Sequence, residues 1–366
     1  MKFTHLRTTG AAALLAASML ALTACGGGGN SNGQGSVASS AYAVTHLVSN
    51  DGATAAHQDK NLVNPLGIAF NPTGFVWVSN SGSSTATLYD GNGVLNALVV
   101  NTAAAPTGIV FYGGTTGFSI SGTSATGGAV SGASRFIFAT DKGQIAAWAP
   151  NVALTTTTVT FDGGSAGRSY KGLAIATQGT TTLLYATDFR NARVDVFDSN
   201  FKPVNPGGSF ADPSVPIGYA PFGIQAIGNR IFVTYAQQDS TGTNSVSGEG
   251  LGRVSVYDLT GALVSSFAGG GALNAPWGVA QAPANFGAYS NAILVGNVGD
   301  GTVNAYSSSG DYLGALRDPS GAVIRTEGLG GLAFGNGLNS QPLNTLFLTA
   351  GPGRGLRGAY DRIDAR

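Results

Sequence analysis

Six short apolar runs in this chain close on Asn80, Asp141, Asp188, Tyr235, Asn297 and Ala350. Two carboxylates and two amides brought to one axis would offer hard oxygen ligands to a cation such as Ca2+, or hydrogen-bonding groups that orient a sugar or another polyol. The metal set would be Asn80, Asp141, Asp188 and Asn297, which is poor in carboxylates for calcium. The alternative role for the same residues is to cap strand ends through local backbone hydrogen bonds. Lys171 precedes a recurring glycine where other copies of the same phrase carry Leu66, Thr107, Phe222 and Trp277. It offers either an anion-binding ammonium or a partner for a nearby aspartate. Trp277 and Phe222 offer either an aromatic platform for a ring-shaped ligand or packing between repeats. Glu327, one of two glutamates, is a weak candidate acid or base.

Several chemistries are excluded. Of three histidines, His5 lies in the leader and only His46 and His57 follow it, so a multi-imidazole zinc site cannot be built. A Ser-His-Asp hydrolase would have to use one of those two. There is no Gly-x-Ser-x-Gly elbow and no phosphate loop. The charged fraction is 10% and net charge is zero, about −2 once Lys2 and Arg7 of the leader are set aside. No basic stripe or RNP-type motif is present, so no nucleic-acid partner is expected.

The single cysteine, Cys25, ends the sequence Leu22-Thr23-Ala24-Cys25 after a basic start (Lys2, Arg7) and a short apolar stretch over 10–22. This is the pattern of a bacterial lipoprotein leader. The thiol takes a diacylglycerol, cleavage precedes Cys25, and the new amine is acylated, with palmitate for example. Several acyl chains on one residue anchor more firmly than one. Gly26 stands where an inner-membrane retention Asp would, which points to the outer membrane. Residues 26–40 are Gly, Ser and Asn with little else and form a flexible tether. The expected division is a signal peptide over 1–24, a lipidated Cys25 with its tether over 25–40, and one domain over 41–366.

The elements that position these groups repeat. The phrase Pro-x-Gly-apolar recurs as Pro65-Leu66-Gly67-Ile68, Pro106-Thr107-Gly108-Ile109, Tyr170-Lys171-Gly172-Leu173, Pro221-Phe222-Gly223-Ile224, Pro276-Trp277-Gly278-Val279 and Leu329-Gly330-Gly331-Leu332. Second strands follow at 76–80, 136–141, 184–188, 231–235, 293–297 and 346–350, and third strands at 86–90, 144–149, 193–198, 253–258, 302–307 and 355–361. The composition agrees: 57 glycines, sixteen aspartates against two glutamates, and five lysines favour turns and strands over long helices. Four short antiparallel strands per copy, repeated six times, predict an all-β fold, a six-bladed β-propeller. The sixth copy lacks a fourth strand, and the orphan run 43–49 is expected to supply it and close the ring. Insertions fall at 113–134, expected to be a mobile loop, at 201–219 and at 237–252.

Residues 187–198, Thr-Asp-Phe-Arg-Asn-Ala-Arg-Val-Asp-Val-Phe-Asp, resemble an NHL-type propeller repeat, in which Asp-x-x-Asn-x-Arg-Val links the second and third strands. From about residue 44 to 353 the chain is similar to a family of exported bacterial propeller proteins of no established activity. The phrases that carry this include Asn61-Leu62-Val63-Asn64-Pro65, Arg135-Phe136-Ile137-Phe138-Ala139-Thr140, Leu273-Asn274-Ala275-Pro276-Trp277-Gly278 and Thr349-Ala350-Gly351-Pro352. The tail from 353 to 366 departs from the family pattern. The resemblance implies the fold and little about function.

Two functions compete on this reading. One is a monomeric binding or scaffold module, held at the cell envelope by its lipid, that contacts an envelope protein or glycan through groups at the channel mouth: Asn80, Asp141, Asp188, Tyr235, Asn297 and Lys171. The other is a calcium-dependent, lactonase-like hydrolase whose metal sits at that mouth and polarises a carbonyl.

Overall fold

The computed structural model describes residues 41–52, 55–123 and 127–366. The proposed signal peptide, Cys25 and the tether lie outside the described residues. Six antiparallel sheets follow one another along the chain as blades of a propeller. Blade one runs Pro65–Phe70, Val76–Asn80, Thr85–Tyr89 and Leu95–Asn101, from the axis outward. The inner strands of the next five blades are Pro106–Phe111, Tyr170–Gln178, Tyr219–Ile227, Pro276–Gln281 and Leu329–Phe334. Each of the six spaces between neighbouring blades holds its own apolar core, because a single four-stranded sheet buries neither face by itself.

The closure expected from the sequence is present. Tyr42–Ser49 pairs antiparallel with Ala359–Ala365 and becomes the fourth strand of blade six, edged by the two-residue strand His57–Gln58. The two chain ends therefore share one sheet, from Tyr42 opposite Ala365 to Ser49 opposite Ala359. Tyr42 also ties this seam to blade five. Its hydroxyl donates to the Phe286 carbonyl (3.1 Å) and accepts from the Tyr289 N–H (3.1 Å), and burial pushes its pKa up to about 12.

Two expectations change. The insertion at 113–134 is not simply a loop: Ser119–Thr123 pairs with Ala129–Ala133 as a hairpin, and Phe118 beside it is buried against Phe201 (5.2 Å between rings). An aromatic anchor at the base gives the Gly- and Ser-rich ribbon a fixed root. The third strand of blade six begins at Ala359, later than 355, because left-handed turns fill residues 353–355 first.

One local irregularity repeats in all six blades. Register with the second strand skips the x-Gly pair of the repeat, from Pro65 opposite Asn80 directly to Ile68 opposite Val78, and likewise in the other five. This is a β-bulge, which bends the strand and re-aims a side chain. The freed glycine N–H finds a side-chain partner. Gly67, Gly172, Gly223 and Gly331 donate to the hydroxyls of Ser79, Thr187, Thr234 and Thr349 at 2.8–2.9 Å. Three of those hydroxyls then donate across to the next blade: Ser79 to the Thr107 carbonyl, Thr187 to that of Phe222, and Thr349 to that of Leu66. In blade two Thr107 itself reaches the Tyr170 carbonyl at 2.8 Å. These hydroxyl clasps join four of the six blade pairs near the axis.

Candidate functional site

The bulges shape the central channel as an hourglass. Its waist, of about 40 Å³, is formed by the repeat glycines and the apolar residues after them, such as Gly67, Gly108, Gly172 and Ile224. Only glycine fits there: a Cβ on Gly67 would lie 2.4 Å from the Thr107 carbonyl oxygen, and one on Gly223 would lie 1.9 Å from that of Trp277. Beyond the strand ends the channel opens into a cavity of about 430 Å³ walled largely by apolar side chains, among them Phe70, Phe111, Ile175 and Phe334.

At the strand starts lies a cavity of about 370 Å³ of different character. Every blade contributes its bulged x residue: Leu66, Thr107, Lys171, Phe222, Trp277 and Gly330. The mouth is completed by Asp141, by Asn64 and Arg354, and by Thr243, Asn244 and Ser245 from the insertion in blade four. One wall is aromatic, with Phe222 packed on Phe189 (5.1 Å between rings) and the Trp277 ring partly buried against the same small cluster. A charged pair adjoins it, with Lys171 Nζ 6.0 Å from the Phe189 ring centre. Lys171 Nζ donates to Asp141 Oδ1 at 2.5 Å, and the Ser169 hydroxyl donates to the same oxygen at 2.5 Å. Both charges are partly accessible, with side chains 15% and 38% exposed, so the pair can meet a ligand without being fully desolvated beforehand.

Of the second-strand ends only Asp141 reaches this mouth; of the residues singled out before the glycine, Lys171, Phe222 and Trp277 all do. Asn80 is fully buried in blade one and donates to Thr85 and Thr87. Asp188 is also buried. It accepts from the Ser169 N–H and from the Asn191 amide (2.7 Å), with Arg193 Nε 3.6 Å away. Asn297 accepts from the Asn274 N–H and donates to the Ala272 carbonyl (2.7 Å) and to Thr302. Tyr235 turns between blades to share a 2.5 Å hydrogen bond with Tyr257, and burial drives its hydroxyl pKa far up. Asp188 and Asn297 thus accept backbone N–H groups at their strand ends, Asn80 is held by two threonine hydroxyls, and none of the three lines the mouth, although Asp188 and Asp141 both accept from Ser169. The four do not fit a calcium site, and among the described residues no cluster of three or more His, Cys, Asp or Glu is placed to hold a metal.

Sequence reasoning missed two parts of the mouth. The blade-four insertion is organised by Asp239, whose carboxylate accepts from the Thr241 N–H and hydroxyl, the Thr243 N–H, and the Asn244 N–H and side-chain amide. These bonds hold its pKa well below the usual carboxylate range. They also fix Thr243 and Asn244 at the cavity. The signal was available as Asp-x-Thr-x-Thr-Asn, a spacing typical of side-chain-stabilised turns. The second part is Arg354, set between two glycines in the divergent tail. Glu327, read as a weak acid or base, instead accepts from the Gly353 N–H (3.0 Å) and buttresses the turn that carries Arg354.

No family model matches the chain. Two relatives do. The uncharacterized protein R648 of Acanthamoeba polyphaga mimivirus is 31% identical over 323 residues, covering 84% of this chain and 76% of the relative. The uncharacterized protein L690 of the same virus is 33% identical over 305 residues, covering 80% and 78%. Among solved structures, a gluconolactonase from Xanthomonas campestris superposes with a TM-score of 0.50 at 16% identity, covering 84% of this chain and 89% of that one. A protein of unknown function from Bacteroides thetaiotaomicron gives 0.52 at 12%, covering 88% and 76%. At such identities the likeness is one of fold. These relatives are viral, so they carry no bacterial or exported origin over to this chain. The chain is a six-bladed β-propeller that belongs to the same family as the two mimivirus proteins.

Proposed function

We propose that this protein is a binding module, carried at the cell envelope by a lipid on Cys25, whose polar channel mouth takes a small ligand. The supporting observation is the mouth itself. Its 370 Å³ cavity lies within the range of about 300–1,000 Å³ common to small-molecule sites, and five of the six blades add a re-aimed side chain to it, the sixth contributing Gly330. Aromatic surface beside a Lys171–Asp141 pair combines apolar contact with a few placed polar groups, which is how such sites orient a ligand. The calcium-dependent hydrolase reading has no comparable support, since its four ligands do not meet.

Two experiments test the two halves of this reading. A thermal-shift panel of sugars, sugar acids, lactones and small carboxylates is expected to contain a ligand that raises the melting temperature, since binding to the folded state alone stabilises it. That shift should vanish in Trp277→Ala. A blank panel, or a shift that survives the substitution, counts against the mouth. For the anchor, labelled palmitate should enter the wild-type protein expressed in a bacterium with a lipoprotein pathway, and Cys25→Ala should lose both label and membrane association. Retained label in Cys25→Ala would sink the lipid anchor.

A further inference from the structure

We infer that the polar mouth takes an acidic sugar: a single pyranose-sized ring with neighbouring hydroxyls and one carboxylate. This rests on the mouth being a ligand site and adds the chemical class. The aromatic wall comes first. Trp277 is half-buried, lines the cavity and packs partly against the small cluster that contains Phe222, so the mouth offers aromatic surface on which a ring can lie. The Lys171–Asp141 pair comes second. Held at 2.5 Å, it sets donors and an acceptor side by side with little net charge. Vicinal hydroxyls, each both donor and acceptor, match such a pair, whereas an anion would be repelled by Asp141 as much as drawn by Lys171.

Arg354 supplies the missing charge. It lines the same cavity, is exposed, and among the described residues has no carboxylate within ion-pair distance. Its backbone is left-handed (φ 60°), as are those of Gly353 (φ 65°) and Gly355 (φ 80°) on either side. A bulky residue rarely adopts this conformation, and it persists only where the surroundings impose it. Here Glu327 holds the Gly353 N–H, and the Gly351 carbonyl accepts the Gly355 N–H at 2.9 Å. The turn therefore keeps a guanidinium at the mouth that the fold itself does not use. A guanidinium's planar fork pairs with a carboxylate through two parallel hydrogen bonds. A neutral sugar would leave Arg354 idle. An aromatic acid would cover the Lys171–Asp141 pair without satisfying it, which costs affinity.

The test is calorimetric titration of the purified full chain with D-glucuronate, D-glucose and benzoate, repeated on Arg354→Gln and Trp277→Ala, with melting curves confirming that each variant is folded. Glucuronate is expected to bind at least tenfold more tightly than either of the others. Arg354→Gln should bring glucuronate down to the level of glucose and leave glucose unchanged. Trp277→Ala should weaken both sugars. If Trp277→Ala fails to fold, Trp277→Phe replaces it and should keep part of the affinity. Equal affinity for glucose and glucuronate, stronger binding of benzoate, or a glucuronate affinity untouched by Arg354→Gln overturns the acidic-sugar assignment while leaving the mouth a ligand site. No heat from any of the three overturns the assignment, and a blank thermal-shift panel beside it removes the mouth reading as well.

Discussion

At the starts of the inner strands the channel is lined by Leu66, Thr107, Lys171, Phe222, Trp277 and Gly330; at their ends, by Phe70, Phe111, Ile175, Ile227, Gln281 and Phe334. The same six strands make both ends, and the bulge between them accounts for the contrast. Past the bulge each strand is in register with its neighbour, Phe70 opposite Val76 and Phe334 opposite Leu346, so its side chains alternate into the spaces between blades. Phe70 packs on Phe347, Phe111 on Phe136 and Phe334 on Phe286, with ring centres 5.0–5.5 Å apart. That end of the channel is an extension of the core. At the other end the x residues are out of register with the second strand and turn toward the mouth, some buried like Thr107 and Phe222 and others partly open like Lys171 and Trp277, so each can differ. A ring built from one phrase thereby keeps its fold and still acquires an individual mouth.

The waist separates the two ends, and filling it is expected to have the largest effect. Gly223→Ala puts a methyl 1.9 Å from the Trp277 carbonyl oxygen, a backbone atom that cannot rotate away. Overpacking of this kind costs typically 1–3 kcal/mol and occasionally more, and a loss of about 3 kcal/mol is expected in urea unfolding. Lys171→Met, one residue before a waist glycine but on the mouth side, should change stability by less than about 1 kcal/mol, because its partly exposed pair with Asp141 is weakly stabilising. If the two substitutions cost the same, the division between waist and mouth is wrong.

A smaller effect is expected from the clasps that hold the bulges. Thr187→Val keeps the shape of the side chain but strands the Gly172 N–H and removes a donor from the Phe222 carbonyl, both buried near the axis. Leaving such groups unpaired costs about 1–3 kcal/mol. Blade five carries Gly296 at the corresponding position and has no hydroxyl to lose. Hydrogen exchange should accordingly show Gly172 among the protected amides in the wild type and markedly faster exchange in Thr187→Val. Unchanged exchange there would mean that the clasp does not hold the bulge.

The clasps also mark where the sequence stops being legible. The six copies of Pro-x-Gly, the strand runs and the orphan strand that closes the ring were readable, because hydrophobic period and turn residues encode them directly. The mouth was not. Alternation along a strand places Asn80, Asp188 and Asn297 at strand ends, but nothing in their types says whether they face the axis or fold back onto their own turns. The structure shows each of them engaged by neighbours within about 25 residues in the chain, although the Asn80 side-chain oxygen is left without a partner. The bulge that moves the mouth one strand inward is held in four blades by a Ser or Thr hydroxyl a dozen or so residues away, a pairing visible only once the strands are aligned in space. Lys171, Phe222 and Trp277 could be noticed as variable positions in a repeat, whereas Arg354 lies where the repeat has already ended. Its flanking glycines were the one local sign of an unusual backbone.

The smallest effect expected concerns the charge pair that belongs to closure and not to the mouth. His46 Nδ1 lies 3.0 Å from Asp361 Oδ2, across the pairing of the two chain ends. The hydrogen bond with Asp361 raises the histidine pKa above its ordinary value near 6.5, against an opposing contribution from partial burial. A histidine whose pKa is raised on folding contributes stability that is fully present below the unfolded pKa and is lost as pH rises through the folded one. The seam should therefore hold more tightly at pH 5.5 than at pH 8.5. Because the His46 side chain is 54% exposed, the difference should stay below about 1 kcal/mol. Melting curves of wild type and His46→Gln across that range isolate the seam, with the variant expected to lose the acid-side gain and to match wild type at pH 8.5. A slope that persists in His46→Gln would place the titrating group elsewhere and leave the seam held by its strand pairing alone.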